Sequence, residues 1–173
     1  MRQPNLVERS EIERQATILF LALSLLLASR GAVLPEESTA QPIRYKLAKM
    51  ARSFLGLPYR WGGMSERRGA DCSGLVKMIF AKLHIDLPRT SRDQIQSGEE
   101  VPVDKLETGD LVFFSSDGNT PMHVGVYLGH HQFLHAEKKA GRVIITDLSQ
   151  PWYAKRFLGA CRVVDLAKAP GNT

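Results

Sequence analysis

At 173 residues the chain is long enough for one domain with a proper core. Its two cysteines, Cys72 and Cys161, lie far apart and form neither a metal-ligand spacing nor a redox CxxC pair, so both are expected as free thiols. A net charge of +5 suits an anionic partner such as a cell-wall polymer, but the Lys and Arg residues are scattered and not interleaved with aromatics, which argues against a specific nucleic-acid role.

The one long apolar run is residues 16–28 (ATILFLALSLLLA), too short for a comfortable membrane span and the right length for the core of an export signal. Arg2, Arg9 and Arg14 precede it, offset by Glu8, Glu11 and Glu13, so the flank is less basic than in a strong signal. Small residues at Ser29-Arg30-Gly31 and Ser38-Thr39-Ala40 offer two cleavage sites, and no Cys follows that a lipid could modify. Residues 1–31 are read as a signal peptide or membrane anchor, 32–42 as a Pro-bounded linker, 43–167 as the folded domain and 168–173 as a tail. Removing 1–31 leaves the remainder at +4. The expected location is exported, periplasmic or wall-associated, with membrane contact only through an uncleaved anchor.

Residues 43–55 read as a helix, with Ile43, Leu47, Met50 and Phe54 on one side and Gly56 placed as its C-cap. The loop Leu57-Pro58-Tyr59-Arg60-Trp61-Gly62-Gly63 starts rigid and ends flexible, which suits an aimed Tyr59; the plainer alternative is an aromatic packed on the core edge. After a polar stretch comes Asp71-Cys72-Ser73-Gly74, opening a helix whose stripe is Leu75, Val76, Ile79, Phe80 and Leu83. Cys72 falls in the first turn, where unpaired N–H groups and the dipole favour thiolate over thiol. Asp71 is a good N-cap, and Ser73 and Gly74 permit close approach. A buried structural Cys is the competing reading. Thr90-x-x-Asp93 then marks a short helix ending near Gly98; the role of Arg89 ahead of it stays open, a solvated charge being the plainer alternative.

From residue 105 the period changes. Strands are expected at 111–114, 122–128, 132–136, 142–146 and 157–164, an antiparallel meander of about five. In the second of these Val124, Val126 and Leu128 share one face, His123, Gly125 and Tyr127 the other. With a hairpin loop at 128–130, His123 falls directly opposite His135, Cβ atoms about 5 Å apart. Moving the loop centre by one residue leaves both on one face but diagonal; an even-numbered loop separates them. His84, His130 and His131 are read as surface or turn residues.

A helix-start thiol with two neighbouring imidazoles is the composition of a cysteine-histidine triad. His123 would accept the Cys72 proton, His135 would hold the tautomer of His123, and the Cys72 N–H with the Tyr59 hydroxyl could receive an oxyanion. Zinc is the competitor, but two His and one Cys lack a fourth ligand at a recognisable spacing.

These motifs, with Leu87-Pro88-Arg89-Thr90-Ser91, Thr108-Gly109-Asp110-Leu111-Val112-Phe113-Phe114, His123-Val124-Gly125-Val126-Tyr127-Leu128-Gly129 and Phe133-Leu134-His135-Ala136, resemble the NlpC family of cell-wall cysteine peptidases, in particular the Spr-like murein endopeptidases. The resemblance implies an α+β, circularly permuted papain-like fold with N-terminal helices on a roughly five-stranded sheet. It implies a monomer that cleaves γ-D-glutamyl–diaminopimelate bonds of peptidoglycan stem peptides, without metal or cofactor. Cys72, His123, His135 and Tyr59 would be catalytic, and Asp71 and Ser73 would help bind the stem peptide's amino end. Two rivals remain at this stage: a thiol acyltransferase or amidase on lipid or small-molecule amides, and a non-catalytic wall-binding protein.

Overall fold

The computed structural model describes residues 40–163, and the expected signal segment and tail lie outside them. Helix α1 (Ala40–Arg52) starts three residues inside the stretch read as linker. It buries Leu47 and Ala51 and ends at Arg52, three residues short of the expected end; Gly56, at a φ of +82°, lies beyond it in the following turns and donates its N–H to the Val143 carbonyl, so it does not cap the helix. A small hairpin follows, β1 (Met64–Ser65) with β2 (Gly69–Ala70), in a stretch the sequence leaves as polar loop. It feeds directly into α2 (Cys72–Ala81), whose buried face is Leu75, Val76, Ile79 and Phe80, the stripe expected from the spacing.

Past α2 the chain forms α3 (Ser91–Gln94), β3 (Glu99–Glu100), β4 (Leu111–Phe114), β5 (His123–Gly129), β6 (Gln132–Glu137), β7 (Arg142–Asp147), α4 (Pro151–Ala154) and β8 (Phe157–Arg162). The sheet is antiparallel in the order β3-β8-β4-β5-β6-β7. The architecture is α+β, as expected, with two differences. A sixth, two-residue edge strand is present, and β8 returns to pair with β4 instead of extending the meander beyond β7. Asp110, fully buried, ties this return together: Arg162 donates to both its carboxylate oxygens at 2.9 Å, while the Glu107 N–H donates at 2.7 Å.

The sheet separates two apolar layers. Alternate residues of each strand (Leu111, Phe113, Val124, Val126, Leu134, Ala136) pack with α1 and α2. On the other side Val112, Phe114, Tyr127 and Phe133 pack with Leu148 and with Tyr153 of α4. This second, aromatic layer surrounds His135.

The turn between β5 and β6 differs from the one assumed above. Its loop is His130-His131, both at positive φ (51° and 59°), the twisted two-residue turn that suits a hairpin. An even loop alone would separate His123 from His135. A bulge between Tyr127 and Gly129 adds one residue and restores the parity, so that Val126 pairs with Leu134 and the two histidines share a face diagonally. Gly125 sits beside them; a Cβ there would fall 2.6 Å from the Phe133 ring and 3.2 Å from the His135 Cβ.

Candidate active site

Asp71 caps α2 and thereby aims Cys72. Its Oδ1 accepts the Gly74 N–H at 2.7 Å and its Oδ2 the Gly62 N–H at 3.0 Å. Arg89 grips the same carboxylate with both terminal nitrogens, at 3.0 and 2.7 Å, and also donates to Ser73 Oγ at 3.0 Å. Arg89 is therefore not the solvated charge suggested by its sequence surroundings. Asp71 and Ser73 are both buried, and neither belongs to the lining of the cleft described below. Their side chains hold the helix start. Gln94 of α3 adds a further brace, its Nε2 donating to the Ser73 carbonyl at 3.0 Å. Replacing Arg89 by Met is expected to cost about 1–2 kcal/mol in a denaturant titration, the value of a half-exposed charge-assisted pair, and to slow any reaction at Cys72.

Cys72 opens onto a cleft of about 740 Å³ whose walls include Tyr59, Trp61, Met122, His123, Glu137 and Trp152. The backbone N–H groups of Val124, of Ser73 and of Cys72 itself act to favour the thiolate. Thiol and imidazole thus meet where α2 begins and β5 begins. Burial, reinforced by the negative charge of Asp71, outweighs those N–H groups and pushes the Cys72 thiol up. The helix start therefore does not by itself produce a thiolate, contrary to the expectation from position, because the sulfur is buried and the cap that shapes the helix is an anion beside it. Burial also lowers His123 to about 4. The resting pair is neutral thiol and neutral imidazole, and the sulfur needs a base to take its proton.

That base is braced from behind. His123 Nε2 and His135 Nδ1 lie 2.8 Å apart, the rings nearly perpendicular, and His135 Nε2 lies 2.9 Å from Thr146 Oγ1. His135 is fully buried, stacked on Phe133 with Tyr153 edge-on, and burial with the neighbouring His123 charge lowers it to about 2. Tyr59 packs on the helical core layer and also lines the cleft; burial, and next the charge of Cys72, push its hydroxyl up. His84, His130 and His131 occupy turns at positive φ, as expected of turn residues. Cys161 is buried and free, its sulfur 3.5 Å from the Gln94 carbonyl.

These pKa values carry a pH dependence. An unfolded chain takes up protons on both imidazoles near pH 6.5, whereas the folded protein resists until about 4 at His123 and about 2 at His135. The unfolded state then binds more protons, so stability is complete above pH 6.5 and declines as pH falls below it. Thermal melts at pH 7 and pH 5 should show the lower midpoint at pH 5. Activity that requires neutral His123 should persist to about pH 5 and be half lost near pH 4.

Thr146, Tyr153 and Glu137 stand behind or beside the histidines without having been singled out from sequence. Thr146 had a signal: His135 pairs with Ile144 across β6–β7, so alternation puts Thr146 on the same buried face. Tyr153 had none, since it arrives on a four-residue helix outside the strand pattern.

A sheet of this order, with a helix-start cysteine and a histidine pair at one cleft, has the composition and layout of a thiol hydrolase. Residues 56–162 match the NlpC/P60 family, and the chain belongs to it. It is 40% identical over 114 residues to the murein DD-endopeptidase MepH of Escherichia coli K12, a match covering 64% of this chain and 42% of MepH. Against the murein DD-endopeptidase/LD-carboxypeptidase MepS of the same strain it is 38% identical over 123 residues, covering 70% of this chain and 64% of MepS. The chain thus spans less than two thirds of either relative. A solved NlpC/P60 family structure from Bacillus cereus ATCC 10987 superposes with a TM-score of 0.67 at 36% identity, covering 70% of this chain and 40% of that one.

Proposed function

We propose that this protein is a peptidoglycan endopeptidase that hydrolyses amide bonds in murein stem peptides through Cys72, His123 and His135. The observation that carries the reading is that Cys72 and His123 line one cleft, the cysteine at the start of α2 and the histidine at the start of β5. Nδ1 of His123 takes the thiol proton as the sulfur adds to the amide carbonyl carbon. The resulting oxyanion is received by the Cys72 N–H and the Tyr59 hydroxyl, whose raised pKa keeps it a donor. His123 then passes the proton to the departing amine, leaving a thioester. Water attacks that thioester with His123 again as base, releasing the acid and restoring the thiol.

The bond we assign is γ-D-glutamyl–diaminopimelate, on the motifs shared with the Spr-like enzymes. The names of MepH and MepS favour a second reading, the D,D cross-link. Mass spectrometry of purified sacculi digested with the protein separates them: stems severed after D-glutamate support the first, and intact stems freed from cross-links the second. Turnover of lipid or small amides with no release from sacculi would refute both. We further propose that residues 16–28 direct export and that the product acts as a monomer in the periplasm or wall. N-terminal sequencing of the protein from fractionated cells would check cleavage after Gly31 or Ala40.

A further inference from the structure

One wall of the cleft carries charges that the reaction at Cys72 does not use. Strand β6 ends at Glu137, and the turn that leads to β7 starts with Lys138 and Lys139. All three residues line the cleft. Within a strand, consecutive side chains point to opposite faces. Leaving the strand at this point is what lets three in a row reach one wall.

Glu137 is held in place. The Tyr153 hydroxyl donates to its Oε2, and the Lys139 N–H donates to its Oε1 at 2.9 Å. A carboxylate has about four acceptor sites, so each oxygen can still receive a donor from the cleft, to which the side chain is 23% exposed. Elsewhere Lys77 and Lys82 are paired with Asp86 and Glu66, whereas neither Lys138 nor Lys139 has an ion-pair partner among the described residues. The wall therefore presents one fixed anion beside two uncommitted cations. The group that matches it carries an ammonium and a carboxylate on the same carbon, as the free head of an amino acid does.

The reaction places this wall on one side of the scissile bond. His123 hands its proton to the departing amine, so that nitrogen lies against the His123 ring. Glu137 Oε2 is 4.0 Å from His135 Nδ1, which is 2.8 Å from His123 Nε2, and the Glu137 charge acts on both His123 and Tyr59. The residue after the cut bond thus has Glu137 beside it. In a γ-D-glutamyl–diaminopimelate bond that residue is joined through one of its two amino-acid centres. The other centre, at the end of a short methylene chain, keeps a free ammonium and a free carboxylate. We infer that Glu137 receives this ammonium and that Lys138 and Lys139 receive the carboxylate, so that the enzyme selects stems whose diaminopimelate end is unsubstituted. The inference rests on the γ-D-glutamyl reading. In a D,D cross-link both amines of the departing diaminopimelate are acylated, and Glu137 has no cation to receive. A stem cross-linked through its far amine likewise turns an acyl group toward Glu137 and should be cut poorly.

Three tripeptides test this, each L-alanyl-γ-D-glutamyl followed by diaminopimelate, by its far-amine N-acetyl form or by its far-carboxyl amide. With the intact protein, kcat/KM for release of the γ-D-glutamyl dipeptide should fall about tenfold on acetylation, the loss of a charge-assisted bond to a held carboxylate. It should fall about threefold on amidation, the loss of a contact to exposed lysines. Glu137→Gln keeps the shape and removes the charge, and should bring the acetyl ratio to within about twofold of one; the double change Lys138→Met, Lys139→Met should do the same for the amide ratio. A wild-type ratio in either variant overturns the inference. So does a single kcat/KM for all three tripeptides in the unmodified protein, a comparison that stands whether or not a variant folds. No cleavage of any of the three refutes the γ-D-glutamyl reading itself and the inference with it, whereas cleavage of all three at one rate refutes the inference alone.

Discussion

Cys72→Ala should abolish release of muropeptides from sacculi, a loss of at least about 10³-fold, because no other group in the cleft can form the thioester. The walls of that cleft supply Tyr59, His123, Glu137, Lys138 and Lys139 beside the cysteine, and none of these is a nucleophile already placed against a base. The structural cost should be small. Cys72 is half-buried at the first turn of α2, and the groups that hold that turn are the Asp71 carboxylate, Arg89 and the Gln94 amide, all untouched by the change. A denaturation midpoint within about 1 kcal/mol of wild type, together with lost activity, is the expected pair of results. Release at the wild-type rate would remove the mechanism. A midpoint far below wild type would show instead that the sulfur is a core group.

Gly74→Ala should do the opposite, damaging the fold first. A Cβ at position 74 would lie 2.3 Å from the carbonyl oxygen of Gly63 and 2.9 Å from Asp71 Oδ1. That carbonyl is pinned, since it accepts the Asp71 N–H at 3.2 Å and an Arg89 nitrogen at 3.4 Å. Gly63 cannot retreat without loosening the cap and guanidinium that aim Cys72. Overpacking against backbone of this kind costs about 3 kcal/mol, and activity should fall with it. Gly159→Ala is the control: no atom lies within 4 Å of the added Cβ, and the midpoint should move by no more than about 0.5 kcal/mol. Equal tolerance at both positions would mean that the contact between residues 63 and 74 yields freely.

Period and composition carried much of the fold. The stripe on α2 follows from helical spacing, and the five longer strands, β4 to β8, from short apolar runs and alternation, because side chains facing one layer must repeat at 3.6 or at 2. The short elements were not legible. Strands β1, β2 and β3 have two residues each and α4 has four, too few for any period to register. They exist because neighbouring backbone needs partners, as when the Val101 N–H donates to the Ala160 carbonyl beside β3.

The histidine pair marks the boundary most sharply. Strand alternation alone puts His123 with Gly125 and Tyr127, and His135 with Phe133. Whether the two sets share a face depends on one residue in the turn, and the bulge at 127–129 supplied it where the loop length alone would not. The residue types needed for chemistry, a capped helix-start cysteine and two strand histidines, were present in the one-dimensional chain and sufficient to name the family. Ionisation was not. Burial made the thiol and both imidazoles neutral at rest, and a tyrosine 18 residues beyond His135 packs edge-on to its ring and bonds the Glu137 carboxylate. Those outcomes depend on the dielectric and on proton direction, which arise only when distant segments are packed against one another.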